Sequence, residues 1–246
     1  AYNTHYLGFN ANMLANEMFL DSSSLRSSVV SHAKTLGYVP TSARASKATV
    51  DVTLNTNDTS ATMPAGTVFN TTVDDVSYQF STISDVTKSN TGNTIPFVGV
   101  DIYEGSFITT RYTVDFSDID QRFIITDNRA DTTTLTVKVQ TSSTDSSSNT
   151  FTEATDITQV TTGSNVYFLQ EVEAGLFEVY FGDGIIGTAL SDDNIVILTY
   201  VVSNKTAANG AAIFTNSAAI ASVTDIAVAT SATSTAGSEP ESISSI

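Results

Sequence analysis

The sequence predicts a mainly β protein with a small N-terminal helical part, α+β overall, whose strands form antiparallel sandwich- or barrel-like segments. Two observations support this fold class. Apolar side chains recur every three or four positions over roughly the first 45 residues, and then at every second position from Lys47 onward. The later segments are short, regularly spaced and separated by Gly, Asp and Asn, as in antiparallel β proteins.

Residues 1–46 are predicted to form a helical hairpin. A short helix covers NMLANEMFL, and a second helix is capped at its start by Asp21 and the serines after it. The apolar residues of the second helix fall on one face: Leu25, Val29, Ala33 and Leu36. Gly37 and Pro40 end this helix. Such a hairpin cannot bury its apolar stripe internally, so Leu25, Val29 and Leu36 are candidate contacts with the β part or with another chain.

The β part divides into three predicted segments: 47–95, 96–204 and 205–246. Within the second segment, residues 195–202 are apolar on both faces, which indicates a central strand or one covered by another subunit. The candidate interface residues on this strand are Ile195, Ile197, Leu198 and Tyr200.

The last segment changes composition from Val228 onward. Its Ala, Thr and Ser residues are typical of a flexible linker, and Ser238 ahead of Glu241 resembles the start of a capped helix. Ending where a helix would begin suggests a piece of a longer polypeptide.

Composition excludes several classes of function. The sequence has no cysteine, which excludes disulfides, thiolate metal sites and cysteine nucleophiles. A formal charge of −16 and the absence of a basic patch argue against nucleic acid as a partner. No apolar run approaches the roughly 18 residues of a membrane span, so we expect no membrane partner either.

The stretch YFGDGIIGTAL, residues 180–190, is the most distinctive local motif. Glycines on both sides of Asp183 suit a tight hairpin between the strands LFEVYF and NIVILTY. A calcium loop would need further carboxylates at alternating positions, and they are missing. We therefore interpret Gly182, Asp183, Gly184 and Gly187 as a structural turn.

Catalysis has no positive sequence signal. The aspartates of DFSDID and SDDN are interpreted as solvated loop carboxylates, and no Gly-x-Ser-x-Gly elbow occurs. A glycosidase with two carboxylates stays open, since the fold rather than local spacing sets such pairs. We expect no catalytic residue, metal, cofactor or small-molecule substrate.

The order of these segments resembles the baseplate J-like family of contractile phage tails, and within it the T-even-like wedge subunits. The similar stretches include NEMFLDSSSLRSSVVSHAKTLGYVPTSARAS, MPAGTVF followed by YQFST, and VYFGDGIIGTAL followed by NIVILTYVVSNKTAANGAAIF. The last stretch ends near a second structural turn, Asn209–Gly210. Residues 203–206 depart from the glycine-rich turn of many members.

The resemblance implies a structural role in the tail baseplate of the virion, assembled in the host cytoplasm. Its implied partners are a second copy of the chain and other baseplate wedge proteins, which join into wedges and a ring around the tail hub. The alternative is a secreted or virion-surface β-sandwich that binds carbohydrate or a receptor. A hydrolytic enzyme ranks below both.

Overall fold

The computed structural model describes residues 2–246, with side chains from Tyr6 onward. Within this range the chain begins with two α-helices, α1 (Tyr2–Glu17) and α2 (Arg26–Thr35). This confirms the predicted helical part, whose first residue lies outside the described range. Neither helix is long and apolar enough to cross a membrane, as judged over the described residues.

The start of α2 is capped differently from the prediction. Asp21 lies in a separate 3-10 turn, Leu20–Ser22. The N-cap residue of α2 is Leu25, whose side chain makes no capping hydrogen bond. The Glu17 carboxylate accepts hydrogen bonds from the Ser24 amide at 3.0 Å and the Leu25 amide at 3.3 Å. These bonds, that of the Ser24 amide above all, lower the pKa of Glu17 to about 2. Glu17, at the end of α1, therefore accepts hydrogen bonds from the backbone amides just before α2. Local sequence does not reveal this contact.

The described residues form fourteen β-strands, most of them short. They are β1 (Lys47–Asn55), β2 (Ser60–Met63), β3 (Val68–Val73), β4 (Val76–Ser81), β5 (Val86–Ser89), β6 (Thr94–Glu104), β7 (Ser106–Thr113), β8 (Phe123–Ile125), β9 (Ala130–Gln140), β10 (Ser148–Glu153), β11 (Val166–Glu171), β12 (Phe177–Phe181), β13 (Ile195–Val202) and β14 (Ile226–Thr235). The mainly β fold class is confirmed.

The first sheet has five strands in the order β14-β1-β6-β4-β3, and β2 pairs with β5 beside it. Strand β1 alternates strictly between buried and half-buried residues, as its sequence period predicts. Its inward side chains, Val50 among them, join a core that includes Phe69, Phe80 and Phe97. The Phe80 and Phe214 rings meet edge to face at 4.9 Å between centroids, so the loop that precedes β14 closes this core.

The second sheet has seven strands in the order β7-β13-β9-β10-β11-β12-β8. Strand β13 lies between β7 and β9, so the two-sided apolar strand is an interior strand of this sheet. One pair departs from the antiparallel prediction, because β10 and β11 run parallel. The core of this sheet is separate from the first and includes Val137, Leu169 and Leu198.

Two segment boundaries differ from the sequence expectations. Strand β6 begins at Thr94 and pairs with β1, so the change from the first sheet to the second falls at Gly105 rather than after residue 95. The expectation of a flexible linker from Val228 is wrong for residues 228–235, which belong to β14 and pair with β1. Ile226 and Val228 pack against the first core, which explains why a Ser/Thr-rich segment is ordered here.

Candidate assembly surfaces

The two sheets meet at a buried carboxylate. Glu104, at the end of β6, is 1% exposed and accepts hydrogen bonds from the backbone and side-chain amides of Asn204, both at 2.8 Å. Burial raises the pKa of Glu104 above its ordinary value. The next residue, Gly105, has φ +124°, and a Cβ there would lie 2.1 Å from the carbonyl oxygen of Val202. The close packing at Gly105 therefore fixes the position at which the chain passes from the first sheet to the second.

A second polar junction lies beside the first. Asn209 was predicted as part of a turn with Gly210, and Gly210 does adopt a positive φ of +92°. The Asn209 side-chain oxygen also accepts hydrogen bonds from the Ser46 hydroxyl at 2.8 Å and the Gly237 amide at 3.0 Å. A Cβ at Gly237 would lie 2.2 Å from the carbonyl oxygen of Lys205. Asn209 therefore ties together three segments that are distant in sequence.

Helix α2 is held to the second sheet by Arg26. Its guanidinium binds both carboxylate oxygens of Glu171, at 2.6 and 2.8 Å, and the carbonyl oxygen of Glu241 at 2.5 Å. The Glu241 carboxylate accepts further hydrogen bonds from Tyr38 and from the amide of Thr41. These bonds position the helical part relative to both the second sheet and the end of the chain.

The Gly-Asp-Gly motif forms a turn closed by the side chain of Asp183. One carboxylate oxygen of Asp183 accepts hydrogen bonds from the amides of Ile185 and Ile186, both at 2.9 Å. These bonds lower the pKa of Asp183 below its ordinary value. Gly184 and Gly187 have φ of +86° and +82°, and a Cβ at Gly182 would lie 2.2 Å from the carbonyl oxygen of Ile186.

The predicted strand hairpin around this turn is wrong. Strands β12 and β13 do not pair, since β9, β10 and β11 lie between them in the sheet. Residues 182–194 instead form a loop in which Gly182 bridges to Ala189. Sequence adjacency suggested a hairpin, but the length of this loop lets β13 take an interior position elsewhere in the sheet.

Replacements in this turn are expected to separate backbone geometry from side-chain chemistry. Gly182→Ala should lower the free energy of unfolding by about 1–3 kcal/mol, because its Cβ would collide with backbone. Asp183→Asn keeps a side-chain oxygen for both amides, so thermal unfolding should be unchanged. Loss of assembly in a well-folded Asp183→Asn variant would contradict the turn assignment.

The candidate interface residues divide into three groups. Val29, Leu198 and Tyr200 are buried inside the chain, and we correct their assignment, because the first is a buried residue of α2 and the others belong to the second core. Ile195 and Ile197 are half-buried on β13. Leu25 and Leu36 are exposed, with Leu36 at 76%, so these two side chains remain accessible to a partner.

A run of exposed apolar side chains lies on α1 and the residues after it. Its large side chains are all exposed: Tyr6, Leu7, Phe9, Met13, Leu14, Met18 and Phe19. From Tyr6 to Glu17 no residue of α1 is buried by the rest of the chain. The apolar residues of NMLANEMFL and of the positions before it were the sequence signal for this surface.

The loop carboxylates do not converge on a common point. Among the side chains described, those of residues 6–246, no group of three His, Asp or Glu is arranged to hold a metal ion. Asp115 accepts from the amide and hydroxyl of Ser117, and Asp192 accepts from the amide of Phe116. The Asp115 carboxylate closes a local turn, and the Asp192 carboxylate joins two loops that are distant in sequence.

Comparison with known proteins shows which proteins this chain resembles. Residues 108–216 match the family model described as the bacteriophage baseplate wedge protein gp6, third domain. The match begins within β7 and extends beyond β13, so it covers most of the second sheet.

The baseplate wedge protein gp6 of Enterobacteria phage T4 is 27% identical over 248 aligned positions, which cover 92% of this chain. Over most of its length the chain is therefore similar to a T4-like baseplate wedge protein. It spans 36% of the length of that relative. The resemblance predicted from the sequence is confirmed.

Proposed function

We propose that the chain is a structural component of a contractile-tail baseplate and acts by subunit contact rather than catalysis. The observation that supports this proposal most strongly is the similarity to a baseplate wedge protein over 92% of the chain. The baseplate of the virion tail is then its site of action, and assembly takes place in the host cytoplasm. The carbohydrate- or receptor-binding alternative has no comparable support.

Helix α1 supplies a contact surface suited to this role. An isolated helix of sixteen residues with no packed face is marginal in water, and most helix stability in proteins comes from packing an apolar face. Glu17 is the single charged residue of this helix. Large side chains such as Phe9 and Leu14 would each gain about 1.5–3 kcal/mol on burial. We therefore propose α1 as the main surface for a partner, with Leu25 and Leu36 beside it.

Two kinds of partner fit this surface. Another baseplate wedge protein could cover α1 with an apolar face of its own. A second copy of the chain could pair α1 with α1 about a twofold axis, since an uncharged apolar helix face is self-complementary. The proposal includes both contacts, and sizing of the complexes distinguishes them.

A paired substitution on α1 tests the proposal. Leu14→Asp with Met18→Asp should weaken assembly at least about tenfold, because two carboxylates would be buried without partners. Ile213→Asp is the matched control, because Ile213 is 78% exposed and lies on a loop far from α1 in sequence. The measurement is co-expression with neighbouring wedge proteins, followed by light scattering of what co-purifies.

The control variant should assemble like the unmodified chain. A chain that stays monomeric at high concentration and co-purifies with no wedge protein would overturn the proposed function. Equal assembly by the α1 variant and the unmodified chain would retain a structural role but remove α1 from the contact.

A further inference from the structure

Two loops at one edge of the second sheet expose large apolar side chains. We call residues 115–121 and 182–190, with the cavity between them, the tip. Its exposed apolar residues are Phe116, Ile119, Ile185 and Ile186. Ile119 is 96% exposed and Ile185 73%, although each sits in an ordered turn. Both loops border the same cavity, through Phe116 and Gln121 on one side and Gly182 and Ala189 on the other.

The cavity is lined mostly by apolar side chains, with Glu178 and Gln121 among its polar lining residues. Its volume is about 350 Å³, and Phe123, Phe181 and Leu190 contribute to its lining. Phe123 and Phe181 meet edge to face at 5.5 Å, and Phe181 meets Phe151 at the same separation. Packed rings cannot collapse into the space, so the cavity is preformed for one or two apolar side chains.

The two loops that form the rim of this cavity are acidic. The two loops and the residues up to 194 contain six aspartates: Asp115, Asp118, Asp120, Asp183, Asp192 and Asp193. They contain no Lys, Arg or His, and none of these aspartates is in an ion pair among the described residues. The adjacent Arg122 is engaged by the buried Glu178. The negative charge of the rim is therefore unneutralised within the chain.

We propose that the tip docks a basic segment of another protein that carries an apolar anchor side chain. The anchor fills the cavity and covers Phe116 and Ile119, while flanking Lys or Arg residues meet the aspartates. Charge complementarity selects this occupant. A second copy of the chain is disfavoured, because its net charge is −16 and opposing tips would bring like charges together. This inference does not depend on the baseplate role.

Synthetic peptides test the proposal on the intact chain. The probe is KKFLKK, and the controls are KKGSKK, which lacks the anchor, and EEFLEE, which reverses the charge. Titration is followed by amide chemical shifts. KKFLKK should bind with a Kd below about 1 mM and shift the signals of Phe116, Gly182 and Ala189. Raising the salt concentration from about 0.05 to 0.5 M should weaken binding, because the aspartates are exposed.

Variants separate the apolar contribution to peptide binding from the contribution of charge. Ile119→Ser should weaken binding at least about fivefold through loss of apolar contact, and so should Asp118→Asn with Asp120→Asn through loss of charge. The carboxamide introduced by Asp118→Asn keeps an oxygen to accept the backbone amide of residue 120, so the loop should keep its shape. Ile213→Ser is the matched exposed control and should bind normally. Equal binding of KKGSKK, undiminished binding by Ile119→Ser, or no shifts at about 1 mM peptide would each overturn the proposal.

Discussion

Gly105→Ala is expected to be strongly destabilising, with a loss of more than about 3 kcal/mol in the free energy of unfolding. A Cβ at this position would lie 2.1 Å from the carbonyl oxygen of Val202 and 2.8 Å from its carbonyl carbon. Both atoms belong to backbone of the interior strand β13, so they cannot move aside like a flexible side chain. The φ of +124° adds strain for any residue with a Cβ.

Gly92→Ala is the matched control for this prediction. Gly92 also has a positive φ, +69°, but a Cβ there would meet nothing within 4 Å. We expect a loss of about 1–2 kcal/mol at Gly92 and a fall in Tm of about 10 °C or more at Gly105, measured by calorimetry. Similar losses for the two variants would show that the crossing between the sheets is not the constrained point described above.

Arg26→Ala is expected to cost about 3 kcal/mol. The Glu171 side chain is 1% exposed and its carboxylate has Arg26 as its partner, so the variant leaves a buried charge unpaired. The partial exposure of Arg26, 27%, moderates this cost. Denaturant unfolding measures the loss, and amide exchange should show that α2 becomes less protected.

Two further variants test the physical reason. Arg129→Ala removes a surface partner of Asp127, an exposed pair that should contribute less than about 1 kcal/mol. The double replacement Arg26→Met with Glu171→Leu should recover most of the stability, because no buried charge remains. Failure of the double variant to recover would indicate that the bond to Glu241, rather than the ion pair, holds α2 in place.

Local patterns in the sequence predicted the features that depend on local geometry. The alternation in β1 and the glycines around Asp183 each act within a few residues, and the structure contains both a regular strand and a closed turn there. The helix stripe was also readable, although Glu17 rather than Asp21 caps the approach to α2. Capping by a side chain at the end of the preceding helix is a tertiary contact.

Features set by strand order could not be read from the sequence. The pairing of β14 with β1 joins segments about 180 residues apart, and it orders a Ser/Thr-rich stretch whose composition is typical of a linker. Leu198 and Tyr200 were assigned to an interface for the same reason: their burial follows from neighbours β7 and β9, which no local pattern identifies. The tip likewise requires two loops distant in sequence to border one cavity.

The central claim is that α1 is an unpartnered helix in the free chain and becomes buried on assembly. Amide hydrogen exchange of residues 6–17, in the isolated chain and in a complex with wedge proteins, tests it most directly. We predict rapid amide exchange of residues 6–17 in the isolated chain and at least about 100-fold slower exchange in the complex. Equal exchange in the two states would contradict it.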